Sequence, residues 1–303
     1  MRIFLLAVLL CGVGFAQVGN DTDRSEAFED ASPLRDGAFL ALQRKEQYFD
    51  AYLDEYTDNA TRNTAFQMAG SIFNIDPYKS NYLLPMTHDF VMHDDRQRTE
   101  VAFQLSLKKD ILYDFLGFKE TLSLAYTQRS WWQLYKHSSP FRETNYLPEI
   151  YVSIPWYNNK SPIKNYKFGF LHESNGQSES SSRSWNRLYL DVMLQYKGFF
   201  INPRVWYRVY ENPDDDDNHD ILDYMGYGDL TLIYPYKEHV FKLLLRNNFD
   251  FSDNRGAVQA DWTFSLWQNG LFGYVQYFDG YGESLIDYNR RTRRLGLGFS
   301  FSR

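Results

Sequence analysis

The amino-acid sequence predicts an all-β fold, a transmembrane antiparallel up-and-down β-barrel of about 12 strands, and three observations carry that prediction. From about residue 80 the chain falls into segments of roughly ten residues that alternate apolar and polar, the period of a strand with two different faces. Aromatic residues make up 18% of the chain, with 24 Tyr and 24 Phe, more than the core of an ordinary soluble domain uses. A membrane barrel takes up such residues in its apolar outer band and interfacial girdles without raising overall hydrophobicity, which suits the mean hydropathy of −0.53. The chain opens on an export-type leader but has no later run of about 18 apolar residues, so insertion into a membrane has to be made by a closed barrel.

Taken in order, Met1-Arg2, the apolar run Ile3 to Leu10 and the small-x-small pattern Gly14-Phe15-Ala16 read as a secretory signal peptide over residues 1–16. Cys11, the single cysteine, lies inside it, so the mature chain makes neither a disulfide nor a cysteine metal site; the bulky Leu10 before it argues against lipid modification. Residues 17–75 are polar, acidic and weakly helical, with Phe39, Leu40, Leu42, Tyr48, Tyr52 and Leu53 forming at most a short amphipathic stretch. They read as an N-terminal periplasmic extension. Residues 76–303 then hold the barrel. Its strands are expected near 80–90, 101–108, 120–131, 145–156, 165–175, 184–196, 199–211, 224–236, 239–251, 256–267, 271–282 and 292–302. Val101, Phe103, Leu105 and Leu107 alternate with Ala102, Gln104, Ser106 and Lys108, giving one apolar and one polar face. An even count closes the barrel. A soluble sandwich would alternate as well, but it would turn its polar face outward and need fewer aromatics. Such barrels commonly end on an aromatic residue, whereas this chain ends Phe299-Ser300-Phe301-Ser302-Arg303. The net charge of −7 leaves no basic stripe for nucleic acid and suits a calcium partner better.

Candidate chemistry concentrates in residues 168–187. Tyr166, Phe168 and Phe170 are an even, apolar face that His172 and Ser174 continue, while Lys167, Gly169 and Glu173 point the other way. On the next strand Asn186 shares the parity of Leu188, Leu190, Val192 and Leu194, with Arg187, Tyr189, Asp191 and Gln195 opposite. Parity therefore places His172, Ser174 and Asn186 together on the lipid side at one edge of two adjacent strands. Such polar groups are costly there unless they bond one another. Their types suit hydrolysis, with Ser174 as nucleophile, His172 as base, Asn186 fixing the imidazole tautomer and the Gly176 N–H open to an oxyanion. A neutral Asn is easier to place near hydrocarbon than an Asp. Taken alone, a His-x-Ser pair is most often an ordinary strand-end feature, and the spacing differs from the Gly-x-Ser-x-Gly elbow.

The stretch His172-Glu-Ser-Asn-Gly176 to Ser182-Arg-Ser-Trp-Asn186-Arg resembles the signature of the outer membrane phospholipase A family. So do Tyr126-Thr-Gln-Arg-Ser-Trp-Trp-Gln133, Ser138-Ser-Pro-Phe-Arg-Glu-Thr-Asn-Tyr146 and Gly280-Tyr-Gly-Glu-Ser-Leu-Ile-Asp-Tyr-Asn289. The resemblance covers roughly residues 75 to 302. It implies a twelve-stranded barrel in the bacterial outer membrane, calcium-dependent hydrolysis of the sn-1 and sn-2 acyl esters of phospholipids and lysophospholipids, and a homodimer as the active form. By position it makes Ser174 the nucleophile, His172 the base and Asn186 the orienting residue. It implies a calcium ion held by the Ser182 hydroxyl, the Gln177 carbonyl and, from the other protomer, the Ser138 carbonyl, with Gln177 standing where the family commonly has Arg. A second calcium position would map to Glu179 and Asp217, although Asp214 to Asp217 also read as a solvated acidic loop. Gln128 matches a polar residue buried at the family's dimer interface; its other reading is a lumen-facing residue.

His88, His93, His137, His219 and His239 show no metal-ligand spacing, and Trp131, Trp132, Trp206 and Trp267 are expected in interfacial girdles. Two further readings stand beside the enzyme. One is a passive channel whose lumen charges Lys108, Arg187, Arg208 and Asp229 set selectivity; the other is a catalytically inactive barrel. The polar inner faces favour a filled lumen over an open pore.

Overall fold

The computed structural model describes residues 75–158, 160–214, 216–266 and 270–302. The expected signal peptide, the extension up to residue 74 and Trp267 lie outside them. Strand β1 is a two-residue piece, Asp76–Pro77, followed by β2 (Tyr82–Asp89), β3 (Thr99–Tyr113), β4 (Thr121–Trp132), β5 (Phe141–Pro155), β6 (Ile163–Ser174) and β7 (Ser184–Tyr196). Then come β8 (Phe199–Arg208), a short helix α1 (Ile221–Met225), β9 (Gly228–Tyr236), β10 (His239–Asn247), β11 (Gly256–Ser265), β12 (Phe272–Gly280) and β13 (Thr292–Ser300). Each of β2 to β13 pairs antiparallel with its neighbours in sequence, and β13 pairs with β2 to close the ring. The predicted all-β, up-and-down barrel of twelve strands is what forms. No helix among the described residues is long and apolar enough to span a membrane.

Several expected boundaries shift by three to five residues, two of them for visible local reasons. Residues 224–227, expected to open a strand, instead contain the end of α1, which Gly226 terminates at φ 62°. The strand expected over 239–251 stops at Asn247, because residues 248–255 form a turn in which Asn248 Oδ1 accepts from the Asp250 and Arg255 N–H groups at 3.1 Å each. The ends of the barrel are unequal. One carries the two-residue turns at 197–198 and 237–238, where Lys197 (φ 53°) and Lys237 (φ 51°) take the left-handed conformation that tight hairpins require. The other carries the longer connections 90–98, 175–183, 209–227 and 281–291.

Burial is inverted relative to a soluble protein. Leu124, Phe168, Leu188, Val205, Phe241 and Leu297 are exposed on the outer face, while Glu100, Glu143, Glu149, Glu173, Asp191 and Arg294 are buried within the barrel. Many of the interior charges are paired. Arg142 bonds Glu100 and Asp287; Arg294 bonds Glu100 and approaches Glu283 at 3.0 Å; Arg204 holds Asp191 at 2.8 Å. Among the lumen charges, Arg187 pairs with Glu173, Arg208 with Asp216 and Lys108 with Asp110. A cavity of about 390 Å³ remains, lined in part by Lys79, Lys167, Asp229 and Arg246.

Both ends of the bore are occupied. At the long-loop end the backbone N–H groups of Leu285 and Ile286 donate to Asn145 (2.9 Å) and Glu143 (3.0 Å), and Leu285 and Tyr288 are buried beside α1. At the short-turn end the break between β1 and β2 turns Tyr78 and Lys79 inward onto Glu149 at 2.8 and 3.4 Å. There the Asn81 side chain replaces missing ladder bonds by accepting from Ser106 N (2.6 Å) and donating to Ser106 O (3.1 Å). A filled lumen of this kind weighs against the channel reading.

The girdle assignment fails for two tryptophans. Trp131 is buried under the guanidinium groups of Arg129 and Arg142, and Trp206 is buried beside Trp185, donating to the Gly226 carbonyl at 2.9 Å. Both belong to the interior, where their rings cover paired cations. Trp132, in contrast, stacks on the exposed Phe141. Replacing Arg294 by Met should destabilise the barrel by about 3–5 kcal/mol, because Glu100 and Glu283 then stay buried with fewer cationic partners. Urea unfolding in lipid vesicles, followed by tryptophan fluorescence, measures this as a lower midpoint.

Candidate active site at the outer rim

The ladder between β6 and β7 builds the site. His172 lies opposite Asn186 and Ser174 opposite Ser184, so the alternation that exposes Phe168, Phe170 and Leu188 carries His172, Ser174 and Asn186 onto the same outer face. All three are half-buried. His172 Nδ1 and Asn186 Oδ1 are 2.8 Å apart, and Asn186 Nδ2 donates to Glu211 Oε1 at 2.7 Å. No hydrogen bond joins Ser174 Oγ to the imidazole among the described residues; such contacts are often long until substrate binds.

The opposite face of the same ladder is rigid. Glu173, between His172 and Ser174, accepts from Arg187 (2.6 Å), Arg129 (2.8 Å) and the Trp185 indole (3.1 Å) inside the barrel. Gly169 lets the Tyr189 ring pack across the ladder, since a Cβ there would lie 2.5 Å from it. A larger side chain at position 169 would collide with that ring.

Beyond Ser174 the chain turns at Gly176 (φ 65°), where a Cβ would also come within 3.0 Å of the Tyr146 ring. Its N–H makes no hydrogen bond among the described residues. The turn is held by the buried Asn175, which donates to Ser181 O at 2.8 Å and accepts from Arg183 N at 3.0 Å. The Gln177 side chain reaches Glu143 at 3.0 Å, tying the 175–183 loop to the residue that also receives Ile286 N. Asn218, buried in the 209–227 loop, accepts from Ser184 N at 3.0 Å and seats that loop on the start of β7.

The proposed cation ligands are partly brought together. Ser182 Oγ donates to Asp217 Oδ2 at 2.5 Å, which joins two residues assigned by resemblance to different positions. Glu179 is exposed in a 3-10 turn, Glu179–Ser181, with no hydrogen bond or ion pair to Asp217 among the described residues. Ser138 (φ 63°) is exposed in the 133–140 loop and bonds His137 at 3.1 Å, with no hydrogen bond to the 175–183 loop among the described residues. The described residues contain no cluster of three or more His, Cys, Asp or Glu side chains suited to a metal. The oxygen pair Ser182 and Asp217 is nevertheless the hard donor type calcium prefers. Gln128 faces outward with Leu124 and Tyr126 and accepts from the Tyr126 hydroxyl at 3.0 Å, so its lumen reading is excluded.

Sequence reasoning missed Asn175, Asn218 and Glu211. An Asn beginning a turn signals a loop-closing role for Asn175, but the other two act across 34 and 25 residues of sequence, and no local pattern announces them. His93, expected to be an ordinary surface or strand-end residue, accepts at Nδ1 from the Arg290 guanidinium at 2.8 Å within the loop network.

Residues 59–301 match the family model described as phospholipase A1, a match that begins within the segment expected to be an extension. The chain is 39% identical over 216 residues to a putative phospholipase A1 of Neisseria meningitidis, spanning 68% of this chain and 56% of that protein's length. It is 35% identical over 244 residues to phospholipase A1 of Escherichia coli, spanning 75% of this chain and 81% of the relative. The fold superposes on outer membrane phospholipase A from Escherichia coli with a TM-score of 0.68 at 34% identity, covering 75% of this chain and 91% of that one. It superposes on the calcium-bound dimer of the Salmonella typhi outer membrane phospholipase with a TM-score of 0.69 at 33% identity, covering 76% and 93%. With the closed barrel and its apolar exterior, these matches place the protein in the bacterial outer membrane. The chain belongs to the phospholipase A1 family of outer-membrane β-barrel enzymes.

Proposed function

We propose that this chain hydrolyses the sn-1 and sn-2 acyl esters of phospholipids and lysophospholipids, with Ser174, His172 and Asn186 as its catalytic residues. The observation that carries the reading is the 2.8 Å contact between His172 Nδ1 and Asn186 Oδ1 on the membrane-facing side, with Ser174 two positions along the same strand face. Because short turns mark the periplasmic end of such barrels, the site lies at the outer-leaflet rim, level with lipid ester groups. Asn186 Oδ1 accepts the Nδ1 proton of His172, leaving Nε2 free to act as base. Nε2 takes the Ser174 proton as Oγ attacks the ester carbonyl carbon, and the carbonyl electrons move onto an oxyanion facing the Gly176 N–H. Collapse expels the glycerol alkoxide, which takes the proton from His172. Water, deprotonated by the same imidazole, then releases the fatty acid from Ser174.

The residues that would hold calcium are Ser182 through its hydroxyl, Gln177 through its carbonyl and Ser138 through the carbonyl of a second copy of the chain; a second position would use Glu179 and Asp217. When bound, the ion supplies positive charge to the ester or to a bound water beside Gly176. Membrane phospholipid is then the substrate and a homodimer the active form, with Gln128 at its interface. The calcium-bound dimer of the Salmonella typhi relative supports this reading.

Ser174→Ala or His172→Ala should lower kcat by about 10⁴–10⁶-fold in mixed micelles, measured as fatty-acid release. Retention of wild-type turnover in Ser174→Ala refutes the mechanism and leaves the channel or inactive-barrel readings. EDTA should abolish release and excess calcium restore it. Crosslinked dimer should rise and fall with activity, whereas full activity in a strictly monomeric preparation would contradict the shared site.

A further inference from the structure

An Asn amide presents an oxygen and an NH₂ group of nearly the same shape, and only the oxygen can accept the His172 Nδ1 proton. Turned the other way, Asn186 would offer donors to the imidazole and favour the tautomer protonated on the nitrogen that has to act as base. The triad by itself does not select between these states. Glu211 Oε1 stands 2.7 Å from Asn186 Nδ2, and an ionised carboxylate only accepts, so it pairs with the NH₂ end alone.

Glu211 is itself held in place. It follows β8 in the 209–227 loop, whose first residue donates from Val209 N to the Asn186 carbonyl at 2.8 Å. Arg208 lies 4.0 Å from Glu211 Oε2, bonds Asp216 at 2.6 Å and donates to the His219 carbonyl at 3.1 Å. The Glu211 side chain is 17% exposed, and a cavity of about 550 Å³ opens beside it, walled in part by Tyr207, Tyr210 and His219. The Glu211 carboxylate therefore borders this open cavity, whose lining does not include Asn186. A carboxylate placed directly at position 186 would have no such outlet.

We propose that Glu211 is a positioning residue of the hydrolytic site, selecting the Asn186 amide orientation that accepts from His172 and placing a negative charge one side chain behind it. The inference rests on the triad reading above. Its test uses the full chain in mixed micelles with calcium, with folding of every variant checked by heat-modifiable electrophoretic mobility. Glu211→Met, which keeps the side-chain length but no acceptor, should lower kcat by about tenfold with KM unchanged, the scale of one lost charge-assisted hydrogen bond. Glu211→Gln retains an acceptor oxygen and should restore most of that loss. In an Asn186→Asp background both carboxylate oxygens accept, so nothing needs orienting and Glu211 only repels the new charge; Glu211→Met should then cost nothing further or raise kcat, whereas a merely structural role would cost the same in both backgrounds.

Equal losses in the two backgrounds, or wild-type kcat in Glu211→Met, overturn the proposal. If Asn186→Asp is too slow to measure, the Met and Gln variants decide, and equal impairment of the two overturns it. Full activity in Ser174→Ala would instead remove the triad reading on which the proposal depends.

Discussion

Hydrocarbon offers no partner to a backbone N–H or C=O, and the rest of this molecule follows from that constraint. Each unpaired group costs several kcal/mol in the membrane, so a sheet that crosses it has to close. Closure is made by β13 against β2, where Leu295 to Leu297 lie opposite His88 to Met86. Once the ring is shut, period-two alternation assigns every side chain to lipid or lumen. Apolar residues go outward because lipid receives them, and charged residues go inward because only there do they find partners.

The lumen therefore does the stabilising work that an apolar core does elsewhere, through ion pairs and aromatic faces together. Glu173 shows how this bears on the site. Its carboxylate links β4, β6 and β7 through Arg129 and Arg187, and the Arg187 guanidinium lies 3.7 Å above the Trp185 ring. His172 and Ser174 flank Glu173 and point the other way, so the interior anchor sets the direction of both outward side chains. Packing on one face of a strand becomes geometry on the other.

Much of this was legible from sequence because strand parity is a strict rule. The shared outer face of His172, Ser174 and Asn186 followed from alternation alone. The same rule, applied to the tryptophans, would have placed Trp131 inside with Ala125, Thr127 and Arg129, and Trp206 inside with Asn202 and Arg204; assigning them by residue type was the error. Helix α1 was hidden because five residues are too few for a helical period to emerge. The partners of Asn186 and Ser184 in the 209–227 loop were invisible, since loop contacts depend on where the barrel carries the loop and on no local pattern. Calcium ligation and the dimer came from resemblance, as neither leaves a periodic trace.

The position of the site at the rim, and not at mid-membrane, follows from the same physics. A hydrolytic set needs a base, an oxyanion donor and a water molecule, none of which hydrocarbon supplies. At the long-loop end, the Gly176 N–H, unpaired among the described residues, and the carboxylates of Glu211 and Asp217 stand within one loop's reach of the β6 and β7 ends. These loops are bound to one another, with Gln177 on Glu143, Ile286 N on the same carboxylate and Asn218 on Ser184 N. Tyr288, within the 281–291 loop, donates to Asp220, and burial together with that bond raises its phenol above the ordinary range. The outer rim is thus a cross-braced polar layer on an apolar wall. Under the proposed function, groups at that boundary would meet the lipid ester from one side and water from the other.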